Sequence, residues 1–532
     1  MEVQQPTEET LTPVIDVETL ANDLLDALEQ ELSTRSSLET KWSEWFRLYH
    51  GEPHSPRKTT PWEDASNIVV NLAAIYVDSV QARVLGGIFG TEPHWSSIQK
   101  TRKAAPYAKP LERYMDALRT QGWKHYRVVK NAVNDVLRLG TAIIHAGWTD
   151  RMITIYDSTQ HSTEIRNTHR GPTPAWVPRE DFVIPEGFVA INDDDDQTRA
   201  PWIAHRQWFS WPIIQHLQST GAIEVDDLSV LENKPDPMTD VSVTRTRREG
   251  SVLQGTSSLS GLWEFWTFWF SMDLDGDGIP EEHVLIVHRT TRTILKFKPN
   301  TNYNGFRPYV VLRFIEESGR FDGMGLPEMV EHYQEEVSTL HNQDIDNGTL
   351  ANSIMLKYKK SAQITEHNKI FPGARWPVNE MDDLEFWSAE GQFRGRIQNQ
   401  QFIIGLAERR VGINDVNLGH ENAPIGRAPA STFAALLQEG TRRFDVSTSE
   451  IRQGLSELGE MIVDLIQMNG LPEPDEFCSP EQLLDPEEAQ LLRQLFSSDD
   501  QVRGVVGLKL NVSTAAINQE VEKQSNQQLY QL

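Results

Sequence analysis

The residues with the clearest metal-ligand spacing lie in DLDGDGIPEE, positions 273–282. Asp273, Asp275 and Asp277 occupy positions 1, 3 and 5 of an EF-hand-like loop, with Gly278 at position 6. Hard oxygen ligands at that spacing suit calcium. Position 12, where a bidentate Glu is required, is Val284. The flanks alternate like strands, and Asp-Gly pairs also close tight hairpins with no ion. A hairpin turn and a calcium loop are therefore both open readings, and calcium is the one cofactor the sequence hints at. Other catalytic spacings are missing: no GxxxxGK[ST] phosphate loop, no HExxH and no GxSxG. His332 and His341 stand nine apart, too far to share a metal on one helix face. The expectation is a protein without catalytic activity.

Charge patterning is the second chemical signal. Residues 325–353 carry Glu328, Glu331, Glu335, Glu336, Asp344 and Asp346 and no Lys or Arg. Residues 356–376 reverse the sign, with Lys357, Lys359, Lys360, Lys369 and Arg375 against Glu366. The next segment adds Arg394, Arg396, Arg409 and Arg410. An acidic stretch, a basic insert and a basic stretch thus follow one another. The bland alternative is chance clustering on a solvated surface.

Those charges need elements to hold them. In 325–353 the apolar residues Leu326, Val330, Tyr333, Val337 and Leu340 recur at steps of four and three, which predicts a helix with a packing seam. Glu328, Glu331 and Glu335 fall off that seam. Residues 357–378 read as short strands and turns, 392–412 as a second helix, 414–430 as a loop and 431–469 as a long helix broken or kinked near Gly440.

Upstream, residues 1–14 read as a flexible tail. Leu20, Leu24, Leu28 and Leu32 mark a helix capped by Asp16, and a Ser-rich break at 33–37 separates it from a second run through Trp42, Trp45 and Tyr49. A Pro-rich loop at 52–65 leads to an apolar helix from Asn67 to Phe89. Helices near 106–121 and 124–139 precede strands at 141–148 and 152–157 and an extended segment at 176–187. A helix at 210–219 and a loop at 233–260 come next. WEFWTFWFSM (263–272), EEHVLIVHRT (281–290) and TILKFK (293–298) predict a three-strand meander covered on both faces. A short helix at 487–497, a strand at 505–512 and a polar terminal helix close the chain. The fold class is α+β, mostly helical.

Composition sets outer bounds. The 532 residues are enough for several subdomains, and Cys478 is the only cysteine, so no internal disulfide can form. That fits synthesis and assembly in a reducing cytoplasm. No apolar run is expected to span a membrane, since Ile68 to Val80 is interrupted by Asn71 and Asp78. The net charge of −27 is opposite to that of a protein that grips nucleic acid tightly, so any DNA role calls for loose contact or a local basic patch.

The order of several motifs resembles the portal proteins of tailed bacteriophages. They are PWEDASNIVVNL (61–72), GTAIIHAGW (140–148), VPREDFVIPEG (177–187), DLDGDGIPEEHVLIVH (273–288), GMGLPEMVEHYQEEVSTLHNQDIDNGTLAN (323–352) and GRAPASTFAALLQEGTRRFDVSTSEIRQGL (426–455). The resemblance implies a subunit with a wing (15–320), a stem helix (321–353), a clip (354–391), a second stem helix (392–413), a channel loop (414–430), a long helix with wing return (431–512) and a reduced crown (513–532). It implies a homo-oligomeric ring, usually of twelve, at one capsid vertex of the virion, passing double-stranded DNA without sequence specificity. The implied partners are the terminase large subunit, a head–tail adaptor, and the major capsid and scaffolding proteins; no membrane is involved. On this reading Glu328, Glu331, Glu335, Asp344 and Asp346 are channel-lining candidates. Lys357, Lys359, Lys360, Lys369, Arg375 and Arg427 are candidates for DNA or partner contact. Leu326, Val330, Tyr333, Val337 and Leu340 would pack neighbouring subunits. The alternative is a calcium-binding interaction module built on 273–282.

Overall fold

The computed structural model describes residues 16–55, 57–157, 162–193, 197–225, 228, 231, 262–302, 305–353, 355–359, 384–387, 394–412, 430–474, 476–497 and 502–511. Expectations for the tail at 1–14, the loops at 233–260 and 414–430, most of the clip and the terminal helix fall outside these residues. The helices are α1 Val17–His50, α2 Leu72–Phe89, α3 Ala105–Ala117, α4 His125–Leu139, α5 Trp211–Ser219, α6 Leu326–Asn352, α7 Arg394–Val411, α8 Ala430–Asn469, α9 Pro480–Leu483, α10 Pro486–Phe496 and α11 Val502–Val505. Mixed helices and antiparallel sheets make the α+β class plain. The chain divides into two compact units, one of residues 1–44, 77–326 and 441–532, the other of 45–76 and 327–440.

The first unit is built on a five-stranded antiparallel sheet. Its order is β10 (Ile294–Pro299), β9 (Glu281–His288), β8 (Leu262–Met272), β7 (Trp202–Ser210) and β6 (Phe182–Val183). The expected meander is thus the last three strands of a larger sheet. In β8 the side chains alternate between two cores, as strand geometry dictates. Trp266, Phe268 and Phe270 join Leu20, Leu24, Leu25 and Leu28 of α1. Trp263 and Phe265 join Ile214 of α5 and Leu295 of β10. Both faces of the strand are covered, as its all-round apolar sequence requires.

Three expectations about helix limits are corrected. α1 is continuous across 33–37, where a break was expected. Its hydroxyls fold back onto the helix: Thr34 donates to the Gln30 carbonyl (3.1 Å), Thr40 to Ser36 (3.0 Å) and Ser43 to Glu39 (3.1 Å). Arg35 also pairs with Glu39 one turn on (2.7 Å). α8 is one helix through Gly440, so of the break or kink expected there it is the break that is corrected. One Gly costs about 1 kcal/mol, small against the propagation of a 40-residue helix.

α2 starts at Leu72 rather than Asn67 and runs to Phe89. By length and composition this 18-residue helix could cross a membrane, contrary to the sequence expectation. The window from Ile68 began too early and missed VLGGIF at the helix end. Its buried residues Ala73, Tyr76, Val77, Val80, Val84 and Ile88 recur at helical spacing with Asp78, Ser79, Gln81 and Arg83 among them. That one-sided burial is the pattern of a core helix.

A second sheet of three strands runs β11 (Tyr309–Arg313), β2 (Thr141–His145), β5 (Ala175–Val177). Strands β3 (Trp148–Asp157) and β4 (Ser162–Pro172) form a separate hairpin. β1 (Trp95–Gln99), which the sequence reading missed, pairs with β14 (Val506–Leu510) across more than 400 residues of chain. Two of the family-like motifs meet here. Gly140 ends α4 at φ 85°, and the Gly323–Met324–Gly325 backbone lies against it. A Cβ on Gly323 would stand 2.7 Å from the Gly140 carbonyl oxygen, and one on Gly325 2.7 Å from that of Arg138. Only glycine fits, and the crossing fixes where α6 begins.

Candidate functional site

The second unit contains the acidic helix. α6 presents three kinds of face. Leu326, Val330 and Val337 are almost fully buried, and Tyr333 and Leu340 are half-buried. The seam therefore belongs to the core of this chain. The expectation that it packs neighbouring subunits is corrected for the three buried residues, because they have no surface left to offer.

A polar row at four-residue spacing forms the second face: Gln334, Ser338, Asn342 and Asp346, all buried. It holds an extended strap, residues 66–71, and the first turn of α2. Asp346 accepts from the Ser66 amide (2.8 Å), Asn342 from the Ile68 amide (2.8 Å), Ser338 from the Val70 amide (3.0 Å) and Gln334 from the Ala73 amide (2.8 Å). Asn342 also donates to the Ile68 carbonyl (2.9 Å), and Gln334 to the Leu48 carbonyl (3.0 Å). A helix rises about 6 Å in four residues and a strand about 6.6 Å in two. One side chain per turn can therefore meet roughly every second strap residue. These bonds take the strap's backbone donors, which explains why α2 starts late. Asp346 thus leaves the exposed set of acids. The sequence reading missed Gln334, Ser338 and Asn342, although their shared spacing was legible.

The third face is open. Glu335 and Glu336 are exposed beside His332, Thr339 and Gln343. Glu328, Glu331 and Asp344 are half-buried. Glu331 accepts from the Trp45 indole (3.3 Å), Glu335 lies 3.6 Å from the Arg47 guanidinium, and Asp344 accepts from Gln400 of α7 (2.7 Å). The end of α1 is therefore a partner of these acids that the sequence reading did not foresee. α7 buries Ile403, Ala407 and Val411 and exposes Phe402, Arg409 and Arg410.

Between α6 and α7 the chain forms an antiparallel pair, β12 (Met355–Tyr358) with β13 (Leu384–Trp387). Lys357 stands directly opposite Glu385, their charged groups 3.9 Å apart and both well exposed. Part of the basic character of this insert is thus neutralised locally. Lys359 is exposed. Lys360, Lys369, Arg375 and Arg427 lie outside the described residues, as do the side chains of Arg394 and Arg396.

In the first unit, DLDGDGIPEE caps the β8–β9 hairpin. Asp273 accepts from the amides of Gly276 (2.6 Å) and Gly278 (2.8 Å), Asp275 from Asp277 (3.0 Å) and Asp277 from Ile279 (2.7 Å). Those backbone bonds hold the Asp273 carboxyl below its ordinary range. Asp273, Asp275 and Glu281 each bring an oxygen within 4.8 Å of the others; Asp277 is not in that group. All three residues are half-buried, and acidic groups gathered at a turn are common without an ion.

From α6 onward the chain runs helix, short β pair, helix, long helix. A family model described as "Phage SU10 portal protein" matches residues 151–476, which includes all four of those elements. This chain belongs to the phage portal proteins. The match covers more than half of the 532 residues, from β3 through the end of α8. No curated protein matches the chain. The portal match is to a structural component of phage and to no catalytic family, and it lends no support to a calcium-binding module.

Proposed function

We propose that this portal protein forms a ring at one vertex of the capsid and that double-stranded DNA passes through the ring during packaging and ejection. The observation that carries the reading is the family match over 151–476 together with the α6–β12–β13–α7 succession inside it. α6 and α7 are the stem, 354–391 the clip and 414–430 the channel loop. The clip docks the terminase large subunit, which supplies ATP hydrolysis, and later a head–tail adaptor. Major capsid and scaffolding proteins surround the ring.

Charge supports the conduit reading. Each subunit carries −27, and the open face of α6 offers Glu335 and Glu336, flanked by Glu328, Glu331 and Asp344. A like-charged wall keeps phosphates from sticking. Screening limits this repulsion to about 8 Å at physiological salt, so it acts only on DNA close to the wall. Lys357, Lys359, Lys360, Lys369, Arg375 and Arg427 remain the proposed contacts for phosphate or an acidic partner.

The decisive measurement is the native mass with end-on images. The expected result is a ring near twelve times 60.6 kDa with a central hole. A monomer at micromolar concentration would defeat the proposal. Glu335→Lys with Glu336→Lys tests the wall: rings should persist while packaging falls.

A further inference from the structure

The segment from Lys100 to Lys130 runs against the charge of the whole chain. It holds nine Lys and Arg against Glu112 and Asp116, a net of +7 in a protein of −27. Three of the nine cations are committed. Lys100 pairs with Glu460 (3.4 Å), Arg113 with Glu488 (2.5 Å) and Arg119 with Asp116 (2.8 Å). Glu112 is turned inward onto the Ser97 amide (3.1 Å). Six cations remain exposed, and none has an ion-pair partner among the described residues: Arg102, Lys103, Lys109, Lys124, Arg127 and Lys130.

They form two groups in the first unit. Arg102 and Lys103 sit in the 3-10 turn that leads into α3, and Lys109 stands seven residues after Arg102. Lys124, Arg127 and Lys130 occupy the start of α4 on the side opposite buried Val129, Ala132, Val133 and Val136. The first turn of α4 has no acidic residue and no side-chain cap, so these cations sit at the positive end of the helix dipole. Within the chain that arrangement is unfavourable. Beside them Tyr126 is 55% exposed and its ring lies 5.0 Å from that of Phe89. β1 joins the two groups: the ring of His94, just before it, meets that of His125 in α4 (2.9 Å), and Ser97 in mid-strand meets Glu112 of α3.

We propose that this surface, built from residues of the first unit and not from the clip or channel-loop segments, binds the phosphate backbone of duplex DNA without base readout. The inference rests on the conduit reading for the presence of DNA. Charge complementarity selects the occupant: six unneutralised cations and an exposed aromatic meet a polyanion, while acids elsewhere on the chain are screened beyond about 8 Å.

The test is fluorescence anisotropy of a labelled random-sequence duplex with the purified full-length protein, from about 50 to 200 mM salt. Six phosphate contacts predict a slope of log K against log salt near −5, at about 0.9 per contact. The triple variants R102Q/K103Q/K109Q and K124Q/R127Q/K130Q should each lower the slope by about 3 and weaken binding at least tenfold at low salt. All six positions are exposed, so circular dichroism should show both variants folded. Wild-type binding unchanged in the six-fold variant would overturn the proposal. So would a wild-type protein that forms rings but binds no DNA, a result that leaves the ring itself standing. If the six-fold variant binds DNA normally but fails to assemble, the patch is a subunit contact and the DNA assignment is wrong.

Discussion

Asn342 and Ile68 are joined by a two-way bond: the Asn342 carboxamide accepts from the Ile68 amide at 2.8 Å and donates to the Ile68 carbonyl at 2.9 Å. A single side chain thus replaces the strand partner that the strap lacks. Asn342→Leu should destabilise the protein by about 2–4 kcal/mol, since it removes both bonds to Ile68 and a third from the Ser66 hydroxyl (2.9 Å), and strands two backbone groups. Asn342→Asp keeps the acceptor alone and should cost less than the leucine variant. Urea unfolding of both variants checks the order.

The Gly140–Gly323 crossing is a steric lock. A Cβ at Gly323 meets the Gly140 and Ile315 carbonyl oxygens at 2.7 and 2.8 Å, and backbone cannot rotate away as a side chain can. Gly323→Ala should cost about 1–3 kcal/mol. Gly276→Ala has open space around its Cβ and is strained only by its φ of 82°, so its cost should be smaller. Thermal melts of the pair separate packing from backbone strain.

Arg179 and Asp322 form a buried two-bond pair at 2.6 and 2.9 Å. The guanidinium also lies over the rings of Trp42 (5.1 Å) and Phe321 (5.0 Å). Removing the carboxylate leaves a buried charge without its counter-ion. Asp322→Ala is expected to lose about 3–5 kcal/mol, and the double change with Arg179→Met much less than the sum of the two single changes. A double-mutant cycle by denaturant titration measures it.

Stability should depend on pH through Asp464. Burial pushes its carboxyl up to about 6, against the pull of Arg503 at 3.4 Å. A carboxyl raised on folding binds more protons in the folded state than in the unfolded one between pH 4 and 6. Its contribution is therefore greatest at low pH and is lost as pH rises through about 6. Relative to Asp464→Asn, the wild type should gain on the order of 1–2 kcal/mol from pH 7 to pH 5. Equal pH profiles for the two proteins would refute this.

Calcium should not be needed by the hairpin at 273–282, because its carboxylates already hold their own backbone amides. Titration with millimolar calcium should give no binding heat and no change in melting temperature. Asp273→Ala should speed hydrogen exchange at Gly276 and Gly278.

The sequence by itself determined much of the local order. Apolar residues on both faces of WEFWTFWFSM marked a strand covered on both sides, and β8 splits its aromatics between two cores for that reason. The four–three steps from Leu326 to Leu340 marked α6, and the motif order pointed to the portal family. Periodicity reports which side of an element is buried. It is silent on what buries it. Only the tertiary structure decided that Val330 and Val337 are core of this chain, that Asp346 is spent on the Ser66 amide, and that the end of α1 answers the acids of α6. The strap was illegible because its bonds join residues some 270 apart in sequence, and an extended segment satisfied by side chains carries no period of its own. β1 was missed likewise: a five-residue strand whose partner lies at 506–510 exists only once the chain has brought the two together.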